Sequence, residues 1–170
     1  MDLGQDALLT ELLVSKNGRS IPIDKYLLRF QRWPQPHDFD TYGGKPLLNL
    51  NGEPLFAELA LLRLLESQGY KGAWVDTFRT KFWQGLPERS DPVLPDPIIL
   101  DAFNRIYKLK GGPKTGCFDI IAYREGHFVF AELKRKAKDA IRSTQVEWLE
   151  AALNAGFHDP TFFIAEWDCD

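Results

Sequence analysis

The chain has 170 residues, a formal net charge of −3 and a hydrophobic fraction of 44%. That length makes one domain with room for an appendage, and five Trp and twelve Phe supply large core side chains. The acidic balance counts against a nonspecific nucleic-acid binder, because phosphate neutralisation dominates such binding, and no apolar run approaches a membrane span.

The opening residues, MDLGQDALLTELL, lack the basic-then-apolar order of a signal peptide. Cys117 and Cys169 have no metal-ligand spacing and read as free thiols in a reducing, cytoplasmic compartment. His37, His127 and His158 are isolated and form no zinc pattern.

Residues 1–52 read as an N-terminal extension packed on a core formed by residues 53–170. Ala7–Val14 predicts a short helix, and Ile21–Trp33 a strand or second helix. Pro34, Pro36, Gly43, Gly44 and Pro46 mark a loop. Pro54–Gln68 predicts a helix with a broad leucine face, capped by Gly69, and Gly72–Phe78 a strand. The proline-rich stretch 85–97 is a loop, and Pro97–Lys110 a helix ended by Gly111-Gly112. A hairpin follows, then a helix over Asp139–Ala155 and a last strand over Pro160–Trp167. The order from residue 54 predicts an α/β fold: a central mixed sheet flanked by helices.

The hairpin, Gly116–Lys134, carries the chemistry. With a two-residue turn at Glu125-Gly126, Arg124 faces His127, and counting outward sets Asp119 opposite Glu132. Directly opposed residues have Cβ atoms about 4.5–5.5 Å apart, so two like charges there repel. A divalent cation between them removes the repulsion. Lys134 projects from the same strand face as Glu132, as do Phe128 and Phe130, which makes that face apolar at its start. An oxygen site for Mg2+ or Mn2+ beside an ammonium suits phosphodiester hydrolysis. Lys134 is suited either to orienting or deprotonating the attacking water or to stabilising developing negative charge. A Glu-x-Lys pair alone is more often a solvated strand face; the opposed Asp119 and the apolar start of the face argue otherwise.

The run KRKAKDAIR, residues 134–142, is a local basic patch on an acidic chain. Arg135, Lys136, Lys138 and Arg142 are its candidate phosphate contacts, with the helix start near Asp139 adding attraction for an anion. In isolation such a run reads as a solvated helix start.

Gly116, Asp119, Glu132, Lys134, Gln145, Trp148, Leu149 and Gly156, in that order, resemble the PD-(D/E)xK nucleases, and within them the VRR-NUC branch. The pattern there is roughly Gly-x-Pro-Asp, Glu-x-Lys, a basic-acidic loop leading to Gln-x-x-Trp or Gln-x-x-x-Leu, and Gly before a final strand. The resemblance covers roughly residues 53–168 and implies a restriction-endonuclease-like fold, an αβββαβ core with a helical insert. It implies that Asp119, Glu132 and the Leu133 carbonyl ligate the metal, that Lys134 is the catalytic lysine, and that Gln145 supports the site from its helix. It also implies a glutamate on the first helix. Glu58 matches best, one turn in; Glu53 is the alternative, explained in full by a helix start. Phe118 stands where the pattern has proline.

The expected activity is a Mg2+- or Mn2+-dependent nuclease hydrolysing DNA phosphodiester bonds, structure-selective rather than sequence-reading, since no helix-turn-helix or finger accompanies the core. The alternative is a catalytically inactive nuclease-fold module that binds nucleic acid or a protein partner. A hydrolase of small phosphate esters ranks third, because Gly111-Gly112-Pro113-Lys114 lacks phosphate-loop spacing. DNA is the expected partner, no membrane is involved, and a protein partner or a second copy stays open.

Overall fold

The computed structural model describes residue 3 and residues 8–38, 40–42, 44–158 and 162–170. Its elements in chain order are β1 (Leu8–Val14), β2 (Ser20–Arg32), β3 (Leu48–Leu50), β4 (Glu53–Leu55), α1 (Ala57–Glu66), β5 (Lys71–Asp76), β6 (Lys81–Trp83), α2 (Pro97–Lys110), β7 (Ile120–Arg124), β8 (His127–Arg135), α3 (Ser143–Asn154) and β9 (Phe162–Cys169). The nine strands described form one sheet in the order β4-β3-β2-β9-β8-β7-β5-β6, with β1 added to β2. β9 runs parallel to both β8 and β2; the other pairings are antiparallel. The chain is therefore mixed α/β, as its order of elements predicts.

The two faces of the sheet bury separate apolar clusters. Leu59, Leu62 and Leu65 of α1 pack with Trp74 and Phe163 on one face. Phe103 and Ile106 of α2 and Trp148 and Leu149 of α3 pack with Phe118, Phe130 and Phe162 on the other. Alternation along β8 divides its side chains between them: Phe130 joins the second cluster, Ala131 and Leu133 the first. The residues between, Glu132 and Lys134, thereby share the α3 face with Phe130.

Several sequence expectations need correction. The predicted helix over Ala7–Val14 is the strand β1; Ala7 itself lies outside the described residues. Its leucines favour helix, but pairing Leu8–Val14 with Tyr26–Ser20 supplies a full ladder that overrides a weak propensity. Ile21–Trp33, left between strand and helix, is the strand β2, which enters the sheet interior beside β9. Segment 1–52 thus contributes β1, β2 and β3 to the same sheet as the rest. The α1 helix starts at Ala57, not Pro54, because Glu53–Leu55 pairs with β3. α3 starts at Ser143, not Asp139, and residues 136–142 are turn and irregular chain. The expected helix Pro97–Lys110 has those bounds: the Asp96 side chain accepts from the Ile98 N–H, and Gly111 ends the helix at φ 65°. Gly43 of the predicted loop and Pro160 at the predicted start of the last strand lie outside the described residues.

Candidate active site

The hairpin register sets the site. Glu125 and Gly126 both have positive φ, 48° and 90°, as a two-residue type I′ turn requires. Arg124 pairs with His127 and Ile120 with Ala131, so the next step outward sets Asp119 against Glu132. At that point β7 ends and the sheet ladder gives way to a side chain: the Leu133 N–H donates to Asp119 Oδ2 at 2.8 Å. The Leu133 N–H, and with it its carbonyl, is thereby directed to the Asp119 side of β8.

The Glu132 carboxylate is 2% exposed. Its Oε1 accepts from Lys134 Nζ at 2.8 Å and from the Gln145 amide, while the Gln145 Oε1 accepts from the Arg142 N–H at 2.8 Å. Gln145 therefore ties the first turn of α3 to β8. Gly116 makes this approach of helix to strand feasible. A Cβ there would lie 2.1 Å from the Thr144 carbonyl oxygen, and the residue holds φ at 86°. Phe118, in the place of the resemblance's proline, is fully buried and stacks on Trp148 at 5.2 Å. It shapes the chain before Asp119 by packing.

Glu132 Oε2 is buried and accepts from no N–H donor, and the Asp119 carboxyl stands close enough to share a proton with Glu132. A buried acceptor left unsatisfied is costly, and a charged one more so. Burial first, then the neighbouring Asp119, pushes the Glu132 carboxyl well above the ordinary range. Burial and the Glu58 charge raise Asp119 to about 7, against an opposing pull from its bond to Leu133 and from Lys45 and Lys134. Neither acid ionises readily beside the other unless a cation is brought between them. The Cys117 thiol is held well above its usual value by burial and by the Glu132 and Asp119 charges. It stays a protonated thiol under the site rather than a ligand.

On the other face of the sheet, Glu58 occupies the first turn of α1 and is buried. Its Oε1 pairs with Lys45 Nζ at 2.5 Å. Burial pulls the Lys45 pKa down, but Glu58, Asp119 and Asp76 more than offset this and raise it. Lys45 was invisible in the sequence: it lies in the loop before β3, with no local pattern to mark it. Its ammonium also sits 5.1 Å from the centroid of the Trp74 ring. Glu53, the alternative acid, stands in β4 and pairs with Arg63 at the surface at 3.1 Å. It is exposed, contributes nothing to the shifts of the hairpin acids and has no helix-start role.

A cavity of about 320 Å3 opens on this face, lined among others by Lys45, Glu58, Leu133, Arg135 and Lys138. Of the basic run, Arg135 and Lys138 reach it; Lys136 and Arg142 are exposed and do not line it. The helix start expected to reinforce this patch at Asp139 lies at Arg142–Ser143 instead. Glu132 and Lys134 do not line the cavity; they sit buried on the α3 face of the sheet, across it from this cavity.

The Glu132 oxygen without an N–H donor, the facing Asp119 and the Leu133 carbonyl fit a hard divalent cation that takes few protein oxygens and keeps several waters. Among the described residues no three His, Cys, Asp or Glu side chains are grouped as a ready-made cage. Glu58 acts on Asp119 through its charge while its own oxygen is paired with Lys45. Among the described residues no helix is long and apolar enough to cross a membrane. Compared with family models, curated proteins and solved structures, the chain matches none of them.

Proposed function

We propose that the chain is a metal-dependent nuclease that hydrolyses DNA phosphodiester bonds, with a restriction-endonuclease-like core of the PD-(D/E)xK kind. The observation that carries this reading is the buried Glu132 Oε2, without an N–H donor, beside a facing acid and an ammonium. A scaffold concerned only with stability would not retain it, since an apolar residue there is cheaper. The order α1, β5, β7, β8, α3, β9, with β6 and α2 inserted after β5, supports the αβββαβ assignment. The parallel pairing of β9 with β8 is compatible with it.

Asp119 and Glu132 would hold Mg2+ or Mn2+, with the Leu133 carbonyl as a further oxygen. When bound, the cation supplies charge stabilisation at the phosphoryl group and an activated water. Lys134 keeps Glu132 oriented through its 2.8 Å bond and supplies positive charge beside the reacting phosphate. Gln145 fixes the other side of the same oxygen from α3. Arg135 and Lys138 neutralise phosphates entering the cavity. DNA is the proposed partner and the setting is the reducing cytoplasm.

The burial of Glu132 and Lys134, neither of which lines the cavity, favours a second reading, a nuclease-fold module that binds DNA or a protein without cutting. Incubating wild type and Glu132→Gln with supercoiled, linear, flapped and single-stranded DNA, under Mg2+, Mn2+ or EDTA, separates the two. Cleavage that needs metal and disappears in the variant is the expected result; binding without cleavage by the wild type overturns the catalytic reading.

A further inference from the structure

We propose that a second cavity, walled by Tyr42, Trp74, Phe78 and Arg79, takes an unpaired nucleobase of a DNA strand. This rests on the reading of DNA as substrate and narrows it to strands with unpaired bases. The cavity holds about 390 Å3, within the usual range for small-ligand sites. Three of its six lining residues are aromatic, two are cationic, and the sixth, Asp76, is committed to holding one of those cations.

Two walls, Phe78 and Arg79, have features the fold alone does not require, while Trp74 is a core ring whose edge the cavity meets. Phe78 lies on the turn after β5 and is 91% exposed. A single exposed apolar residue is ordinary, but this ring borders a cavity already lined by two others. Arg79 lies 4.0 Å over the Tyr42 ring, and its guanidinium bonds Asp76 Oδ2 at 2.6 Å. Asp76 is 6% exposed and also accepts from the Arg79 N–H at 3.1 Å. The cation is thus locked in place beside the rings, oriented for a phosphate or for the edge of a base.

Lys45 joins this cavity to the first. It lines both, and it is the residue paired with Glu58. A strand whose phosphates lie on Arg135 and Lys138 would run past Lys45 and Glu58 and bring its next base to the aromatic walls. Stacking on a protein ring needs a free base face, which a base inside an intact duplex does not offer. Single-stranded, flapped or frayed DNA does. Because every base has such a face, the site discriminates by pairing state rather than by sequence.

The test uses the whole chain with Ca2+ replacing Mg2+ and measures affinity by fluorescence anisotropy. The probes are a single-stranded oligonucleotide, the same strand with abasic positions, and the matched duplex. Phe78→Ala is expected to weaken single-strand binding about five-fold to a hundred-fold, the range of base–aromatic stacking, with duplex binding unchanged. Phe78→Trp is expected to restore it, and abasic positions should weaken the wild type and leave Phe78→Ala unaffected. Equal single-strand affinity of wild type and Phe78→Ala, or equal binding of the abasic strand, overturns the pocket. Metal-dependent cutting of duplex alone would do the same while sparing the nuclease reading, whereas no affinity for any DNA overturns both.

Discussion

On the α3 side of the sheet, Glu132, Lys134 and Gln145 form a buried group joined through Glu132 Oε1. On the α1 side, Lys45, paired with Glu58, stands at the junction of two cavities lined by basic and aromatic side chains. Asp119 belongs to neither alone: it bonds the β8 backbone, opposes Glu132, and feels the charges of Glu58 and Lys45. The contrast teaches a division of labour. On the proposed nuclease reading, the buried side would carry chemistry whose geometry is set by folding, and the open side surfaces whose contacts are set by a ligand.

The sharpest way to break that division is to remove the ammonium from the buried side. Lys134→Ala is expected to lower metal-dependent cleavage by about 100-fold or more, in line with loss of one electrostatic stabiliser, and Glu132→Gln to abolish it. Circular dichroism should show both variants folded. Wild-type rates in either would move the chemistry elsewhere.

Next in size is the response to pH. Asp119 has a folded value of about 7 against an ordinary 3.8, and Glu132 is shifted the same way. The folded chain therefore binds these protons more tightly than the unfolded chain. Metal-free protein should lose stability as pH rises from about 4 through about 7 as Asp119 ionises, with Glu132 adding to the loss in the same direction. Mg2+ favours the ionised pair, so it should raise the melting midpoint most at pH 8. Thermal melts in EDTA and in Mg2+ would show it, and Glu132→Gln should flatten the EDTA curve. A midpoint that climbs with pH in EDTA would contradict the buried-pair account.

A smaller effect separates the glutamates. Calorimetric titration with Mn2+ should show weaker binding to Glu58→Ala, because Asp119 then loses a neighbouring charge and Lys45 is set free among the acids. Glu53→Ala should bind metal as the wild type does and lose only a surface pair, about 1 kcal/mol at most. The reverse ranking would mean that the open side does not reach the metal. The mildest change is expected from Lys136→Ala with Lys138→Ala. Each lost phosphate contact reduces the salt slope of DNA binding by roughly 0.7–0.9. Since Lys138 lines the cavity and Lys136 does not, the double variant should lose about one contact's worth. An unchanged slope would make the run a solvated surface.

The parts legible in the sequence were those fixed by local rules. The hairpin register followed from one turn and a count, and the end of Pro97–Lys110 from its Gly111-Gly112 stop. The unreadable parts were fixed by distant partners. Nothing within Leu8–Val14 announces the β2 ladder that makes it a strand. Asp139 resembles a helix start, but it accepts from the Arg135 N–H and closes a turn instead. Lys45 acquires its role only because its loop is folded against α1 and β5.

The parallel pairing of β2 with β9 has a consequence for how the chain folds. Asp24 pairs with Phe163 and Phe30 with Cys169, so the interior of the sheet closes a loop that contains every element from β3 to α3. Such long-range contacts are slow to form, because loop entropy is lost before any contact rewards it. During synthesis β2, with Ile23 and Leu28 destined for 1% exposure, waits for its neighbour until every element from β3 to α3 has been made. Through that interval its open edge is the segment most prone to pair with the wrong chain.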